Sequence, residues 1–172
     1  MRAEPDERSE QVTQVLRGEP LRVEERRGGW ARIVTAYGYP GWMREEALAG
    51  DVLAEARAFL GAPYEWGGMT ERGIDCSGLV HMAFRRAGRL VPRDAHEQEA
   101  AGEPVGEAEL RPGDLITYGE EGAEGATHIA FWTGGGRILH ASSSRGAVEE
   151  PEPESLRERR RETVRLVIPE RG

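Results

Sequence analysis

The chain has 172 residues, of which 38% are hydrophobic and 31% are charged, and its formal net charge is −8. This composition predicts a soluble protein of one or two domains, and without a basic stripe it argues against nucleic acid as a partner. No apolar run approaches the roughly 18 residues that a membrane span needs, and no secretory signal is visible. We therefore expect a cytoplasmic protein with no membrane partner, the alternative being a secreted one from which a signal peptide has been removed.

The first 48 residues are predicted to form a small β-barrel. Three short apolar or alternating runs, at residues 11–16, 21–23 and 30–34, are separated by turns rich in glycine and proline. Short strands at this spacing are typical of small barrels.

Residues 49–172 are predicted to begin with helices and to continue mainly as strands. Helices are expected at residues 51–61, with Asp51 as the N-cap, at residues 76–88, and after Asp94. The charged, proline-rich stretch 149–161 is expected to be an exposed connection or a short helix. The predicted strands are residues 115–118, 128–132, 137–140 and 164–168. Helices followed by an antiparallel meander indicate an α+β fold.

Cys76 is the only cysteine, and it lies where the second of these helices is predicted to begin. The unpaired N–H groups of a helix N-terminus stabilise a thiolate and can hold the oxyanion of a tetrahedral intermediate. Ser77 and Gly78 leave little bulk around the thiol. We therefore predict a nucleophile in preference to a buried cysteine that only packs.

Two histidines, His128 and His140, flank a run of three glycines. If the hairpin closes around Gly135, His140 is opposite Ala130; if it closes around Gly134, the two histidines are directly opposite each other. Both registers place the imidazoles on one face of the sheet. We expect that face to pack against the helix that carries the cysteine, with His128 as general base and His140 as the group that orients it.

Other interpretations of these residues stay open at this point. Cys76, His128 and His140, together with Asp75, have the side chains of a zinc site, although no Cys-x-x-Cys or His-x-x-x-His pair is present. A binding module with a vestigial catalytic part is a further possibility. The other histidines are expected to be structural (His81) and solvated (His96).

Five segments between residues 51 and 168 form a recognisable set. They read Y-E-W-G-G at residues 64–68, D-C-S-G-L-V at 75–80, L-R-P-G-D-L at 110–115, T-H-I-A at 127–130 and L-H-A-S at 139–142. Together they resemble the NlpC-type family of cell-wall cysteine peptidases, which has a papain-like fold. The D-C-S-G element with both histidines is the specific part of this resemblance.

The resemblance implies a role for each matching residue. Cys76 would attack the scissile carbonyl of a murein peptide, His128 would act as general base and then acid, and His140 would orient His128. Tyr64 matches the tyrosine of the family, whose hydroxyl is expected near the nucleophile or the oxyanion.

The first 48 residues are similar to bacterial SH3-like domains, through segments at residues 19–23, 30–33 and 39–42. Members that carry such a domain resemble γ-D-glutamyl-L-diamino acid endopeptidases that require a free N-terminal L-Ala. The positions that this resemblance assigns to the substrate are Asp75, Ser77, Asp94 and Tyr39, with Glu10 and Glu19 as candidate carboxylates for its ammonium group.

We therefore predict an α+β protein with an SH3-like β-barrel over residues 1–48 and a papain-like NlpC-type domain over residues 49–172. Its expected activity is hydrolysis of the γ-D-Glu–L-diamino acid bond of murein peptides during cell-wall recycling. We expect a monomer that needs no metal and no cofactor. The alternatives are a secreted peptidoglycan hydrolase and an amidase or acyltransferase on the same fold.

Overall fold

The computed structural model describes residues 1–16, 21–48 and 51–166, and all of their side chains except that of Glu46. Its backbone forms two compact units, Met1–Gly50 and Asp51–Gly172. Among the described residues, no helix has the length and apolar character that crossing a membrane requires.

The first unit contains an antiparallel sheet in the order β1-β2-β3. Its elements are β1 (Leu21–Arg27), β2 (Trp30–Thr35), β3 (Pro40–Arg44) and α1 (Glu45–Leu48). The strands predicted at residues 21–23 and 30–34 are confirmed within β1 and β2. The strand predicted at residues 11–16 is wrong, because only Gln11 pairs there, in isolated bridges. The third strand instead follows the glycine turn at Gly38, where φ is +81°.

Three helices of the second unit begin where the sequence predicts: α2 (Val52–Arg57), α3 (Cys76–Arg86) and α4 (Ala95–Ala101). A fourth, α5 (Glu154–Arg157), lies within the stretch 149–161. Asp51 caps α2 as expected, accepting hydrogen bonds from two backbone N–H groups, but α2 ends at Arg57, earlier than predicted. The predicted buried stripe of α3 is confirmed: Leu79, Val80, Ala83, Phe84 and Ala87 are all buried.

The strands of the second unit form a six-stranded antiparallel sheet in the described residues, in the order β10-β9-β8-β7-β11-β6. They are β6 (Glu103–Pro104), β7 (Leu115–Tyr118), β8 (His128–Gly134), β9 (Arg137–Ser142), β10 (Gly146–Pro151) and β11 (Arg160–Arg165); a separate short pair consists of β4 (Met69–Thr70) and β5 (Gly73–Ile74). The strand predicted at residues 164–168 begins earlier, at Arg160, and residues 167 and 168 lie outside the described part.

The stretch from residue 149 to 161 is only partly what the sequence predicts. Its middle is the short helix α5, as expected, but its start belongs to β10 and its end to β11. The strand β10 lies at the edge of the sheet, where proline and acidic side chains are tolerated. Its sequence therefore lacks the hydrophobic pattern from which a strand is predicted.

The hairpin between β8 and β9 has the register that closure around Gly135 predicts. Phe131 pairs with Leu139 and Trp132 with Ile138, so that His140 falls opposite Ala130. The three turn glycines all have positive φ, at 96°, 59° and 74°. This backbone conformation is readily available only to glycine.

The two faces of this sheet pack against different parts of the chain. Ile129 and Phe131 join the core that contains α3, whereas Ala130 belongs to a second cluster against which Leu156 of α5 packs. Because side chains alternate along a strand, His128 and His140 lie on the face of the second cluster. The expectation that the histidine face packs against the cysteine helix is therefore wrong, although one of the two predicted registers, with closure around Gly135, is confirmed.

Gly146, at the start of β10, gives a stability prediction. Its φ is +72°, and a Cβ at this position would lie 2.1 Å from the carbonyl oxygen of Ala62. We expect Gly146→Ala to reduce the free energy of unfolding by about 3 kcal/mol or more, because backbone strain and a backbone clash combine. Gly135→Ala is the matched control, since φ is also positive (+59°) but nothing lies within 4 Å, and about 1 kcal/mol is expected. If urea denaturation gave the same loss of unfolding free energy for both variants, the contact between position 146 and the Ala62 carbonyl would not be the cause.

Candidate active site

Cys76 is the first residue of α3, and its helix is fixed by a polar network around Asp75. The Asp75 carboxylate accepts hydrogen bonds from the N–H groups of Gly78 and Gly67, both at 2.6 Å, and from Arg93 at 2.7 Å. Ser77 accepts from Arg93 at 2.8 Å. The network therefore holds the turn that presents the cysteine.

This network changes how two predicted substrate contacts are understood. Asp75 and Ser77 are both buried, and their polar atoms are already engaged with Arg93 and the helix start. Arg93 is a site residue that the sequence does not predict. The available signal is a basic residue directly before Asp94, where the third helix is predicted to begin.

The Cys76 thiol is only 6% exposed, and it is not a preformed thiolate. Burial raises its pKa above the ordinary value, and the nearby Asp75 carboxylate raises it further. The backbone N–H groups of Ile129, Ser77 and Cys76 itself oppose this shift but do not outweigh it. The helix N-terminus thus has the predicted effect, but burial dominates, and the resting side chain is a thiol that needs a base.

His128 and His140 are joined by a hydrogen bond of 2.8 Å between His128 Nε2 and His140 Nδ1. The two rings are nearly perpendicular, at 82°. Burial lowers the pKa of His128 to about 3, with smaller contributions from His140 and Arg159. Burial also lowers the pKa of His140, although Glu150 opposes it. Both imidazoles are therefore neutral near pH 7.

The sequence did not reveal two side chains that surround this pair. Glu150, on β10, lies 2.8 Å from His140 Nε2 through Oε1, in the stretch predicted to be an exposed connection or a short helix. Tyr118, on β7, is fully buried beside the His128 ring, with centroids 5.7 Å apart. Its hydroxyl donates to Glu152 at 3.0 Å. Glu150 is out of reach because β10 is not predicted, and Tyr118 because the register that places it opposite His128 is not predicted.

The backbone next to His128 reaches the thiol of Cys76. The N–H of Ile129, the residue after His128, is close enough to Cys76 to stabilise its thiolate. Among the described residues, no hydrogen bond joins the two side chains directly. Catalytic hydrogen bonds are often long in ligand-free sites and shorten when substrate binds.

A cleft of ≈ 450 Å³ opens beside the two histidines. Its lining includes Tyr64, Thr127, Ser142, Arg145 and Arg159 together with His128 and His140. Cys76 is not among the lining residues. Burial raises the pKa of Tyr64, and negative charge at Cys76 and Asp75 adds to the shift. The Tyr64 phenol therefore stays protonated and can donate a hydrogen bond near the thiol.

The remaining predicted contacts lie in different surroundings. Asp94 is exposed at the start of α4, where its side chain makes no capping hydrogen bond. Tyr39 and Glu10 are exposed in the first unit. Glu19 lies outside the described residues. A substrate contact for each stays a prediction.

The other histidines have the roles predicted for them. His81 Nδ1 lies 2.9 Å from the carbonyl oxygen of Val91, and His96 is exposed. As for the zinc alternative, the described ranges contain no group of three or more His, Cys, Asp or Glu side chains that could hold a metal ion.

The neutral state of His128, which is half-buried, gives a pH prediction. Its pKa is about 3 in the folded protein and about 6.5 in the unfolded chain. Below pH 6.5 the unfolded chain binds the extra proton, so stability falls as pH drops from 6.5 towards 3, by up to about 1.4 kcal/mol per pH unit. In chemical denaturation between pH 7.5 and 4.5, wild type is expected to lose more stability than His128→Gln. Parallel curves would contradict a lowered pKa of His128 in the folded protein.

A cysteine at a helix N-terminus and an antiparallel sheet that carries a hydrogen-bonded pair of imidazoles form a site of the papain-like cysteine peptidase type. Residues 61–164 match the NlpC/P60 family, and residues 1–48 match the bacterial dipeptidyl-peptidase Sh3 domain. The chain belongs to the NlpC/P60 family, and the predicted α+β fold with an N-terminal SH3-like domain is confirmed.

Individual relatives match different shares of the chain. The γ-D-glutamyl-L-lysine dipeptidyl-peptidase of Bacillus subtilis is 36% identical over 107 residues, which is 62% of this chain and 36% of the relative. An NlpC/P60 family protein from Bacillus cereus has a TM-score of 0.63 at 26% identity, covering 85% of this chain and 53% of that structure. RipD from Mycobacterium tuberculosis, described as a non-catalytic NlpC/p60 domain protein, has a TM-score of 0.58 at 25% identity, covering 70% and 98%. The chain thus spans about a third of the first relative and half of the second.

Proposed function

We propose that this protein is a cysteine peptidase that hydrolyses the γ-D-glutamyl–L-diamino acid bond of peptidoglycan peptides. The observation that carries the proposal is the hydrogen-bonded pair of neutral imidazoles His128–His140, next in the chain to Ile129, whose backbone N–H favours negative charge at Cys76. A protein that only binds peptides would not need a neutral imidazole pair and a thiol at a helix start in one site. Residues 1–48 and the Bacillus subtilis relative favour γ-D-glutamyl peptides within the wider range of peptidoglycan peptides.

The reaction begins with transfer of the Cys76 proton to neutral His128. The thiolate attacks the γ-carbonyl of D-Glu, and the N–H groups that already favour negative charge at Cys76 also face the developing oxyanion. Tyr64 adds a hydrogen bond from its protonated phenol. His128 then returns the proton to the leaving amine as the C–N bond breaks.

The second half of the reaction releases the acyl group. Water enters where the amine has left, His128 takes a proton from it, and the resulting hydroxide attacks the thioester. Breaking the C–S bond frees the dipeptide, and His128 returns its proton to the sulfur, which regenerates the Cys76 thiol. The same imidazole therefore acts as base and then as acid in each half of the reaction, which requires that it be neutral at the start of each half.

The amino end of the substrate is proposed to carry a free L-Ala ammonium group. The exposed Asp94 carboxylate, which makes no capping hydrogen bond, is the candidate in the second unit for pairing with it. Tyr39, Glu10 and Glu19 are the proposed contacts in the first unit. Asp75 and Ser77 are proposed to act on the substrate through the turn that they hold.

Mass spectrometry of two substrates tests this function. L-Ala-γ-D-Glu-diaminopimelate and its N-acetylated form are each incubated with the protein, and the released L-Ala-D-Glu is quantified. Release from the free peptide alone supports a peptidase that requires the amine and serves in recycling. Release from both indicates a wall hydrolase with an open groove, and release from neither favours the amidase or acyltransferase alternative.

A further inference from the structure

Glu150 and Arg145 form an ion pair beside His140, in the lining of the same cleft. Arg145 donates hydrogen bonds to both carboxylate oxygens of Glu150. Burial raises the pKa of Glu150, but hydrogen bonds from Arg145 and His140 outweigh it and keep that pKa below its usual value. Glu150 is therefore ionised near pH 7, and its side chain is only 12% exposed.

An ionised carboxylate can only accept hydrogen bonds. Since Glu150 Oε1 lies 2.8 Å from His140 Nε2, that nitrogen must carry the hydrogen. A neutral imidazole has one N–H and one acceptor nitrogen, so His140 Nδ1 is an acceptor. The 2.8 Å contact from His128 Nε2 to this atom then requires a hydrogen on His128 Nε2.

This sequence of hydrogen bonds leaves one atom of the site with an unused lone pair. In neutral His128 with its hydrogen on Nε2, Nδ1 must be unprotonated. In the described part of the chain, His128 Nδ1 has no hydrogen-bond partner. It is the only ring nitrogen of the two histidines that can accept a proton from Cys76 without breaking a hydrogen bond.

We infer that Glu150, held by Arg145, is a positioning residue that fixes the tautomers of His140 and His128 and so makes Nδ1 of His128 the base. The inference rests on the proposed function. When His128 takes the proton of Cys76, its Nε2–H still donates to His140, and the carboxylate stabilises the new positive charge through that ring. The charged and titratable groups around the pair are Arg145, Arg159, Tyr118 and Glu150.

The direct test is the tautomeric state of the histidines, which does not depend on any substrate. Long-range ¹H–¹⁵N correlation spectra at pH 7, assigned with His128→Gln and His140→Ala, are expected to show Nε2–H in both rings of the wild type. A hydrogen on Nδ1 of either ring would overturn the inference. Because this readout needs no activity, its failure is distinguishable from failure of the proposed function.

Kinetics then test whether Glu150 acts through His140. Glu150→Leu is expected to lower kcat about 10–100-fold, as for other residues that orient a catalytic group, with KM within about twofold. Glu150→Gln keeps an acceptor and is expected to retain more activity than the leucine variant. Glu149→Gln, next in the strand and paired with Arg57 instead, is the control and is expected to stay within about twofold of wild type.

A double-mutant cycle separates positioning from a general structural effect. In the His140→Ala background, Glu150→Leu is expected to change kcat by less than about twofold, because the ring that it orients is gone. The same 10–100-fold loss in both backgrounds would overturn the inference. If the leucine variant does not fold, the glutamine variant and the wild-type spectra still decide the question.

Discussion

Replacing Cys76 with alanine is expected to lower the rate of peptide hydrolysis by about 10⁴-fold or more. The thiol forms the covalent bond to the substrate, and the other groups of such a site retain little rate enhancement once the nucleophile is removed. Cys76→Ser is expected to be nearly as inactive, since a buried hydroxyl is harder to deprotonate than a thiol. Product release, measured by mass spectrometry over hours, checks both variants.

The control for this prediction is the fold of the variants. Cys76 packs in the main core, so a small loss of thermal stability is expected from the alanine variant, but the circular dichroism spectrum should not change. A folded Cys76→Ala protein with the wild-type rate would show that the thiol is not the nucleophile.

Replacing His128 with glutamine is expected to lower kcat by about 10³-fold, within the range for loss of a general base. Because burial keeps the thiol protonated, the reaction depends on His128 to create the thiolate. Substrate binding does not need the imidazole, so KM is expected to change little. Steady-state kinetics on the free peptide measure both quantities.

His81→Gln serves as the comparison for His128→Gln, since the His81 ring bonds to the backbone carbonyl of Val91 and does not line the cleft. It is expected to keep kcat within about twofold. An equal loss in both variants, or full activity of His128→Gln, would contradict the assignment of His128 as the base.

The parts of the site that depend on local sequence could be predicted. Cys76 at the start of α3 follows from the Asp75 cap and the helical spacing of its apolar residues. The diagonal relation of His128 and His140 follows from the glycine turn, because hairpin geometry fixes register over a few residues.

The parts that depend on contacts distant in sequence could not be predicted. Glu150 reaches His140 only because β10 pairs with β9, and an edge strand with three acidic or proline residues carries a weak hydrophobic pattern. The prediction that the histidine face packs against α3 was wrong because the alternation of side chains defines two faces of a strand. It does not say which of the two faces a helix covers. The Asp75 carboxylate also accepts a hydrogen bond from Arg93, which lies 18 residues further along the chain.

Alkylation of the wild-type protein tests the central claim most directly, because Cys76 is the only cysteine. The protein is treated with iodoacetamide, intact mass confirms one carboxamidomethyl group per chain, and hydrolysis of L-Ala-γ-D-Glu-diaminopimelate is measured. A cysteine nucleophile predicts that activity falls in proportion to labelling and that the peptide slows the labelling. A fully alkylated protein that still releases L-Ala-D-Glu at the untreated rate would contradict it.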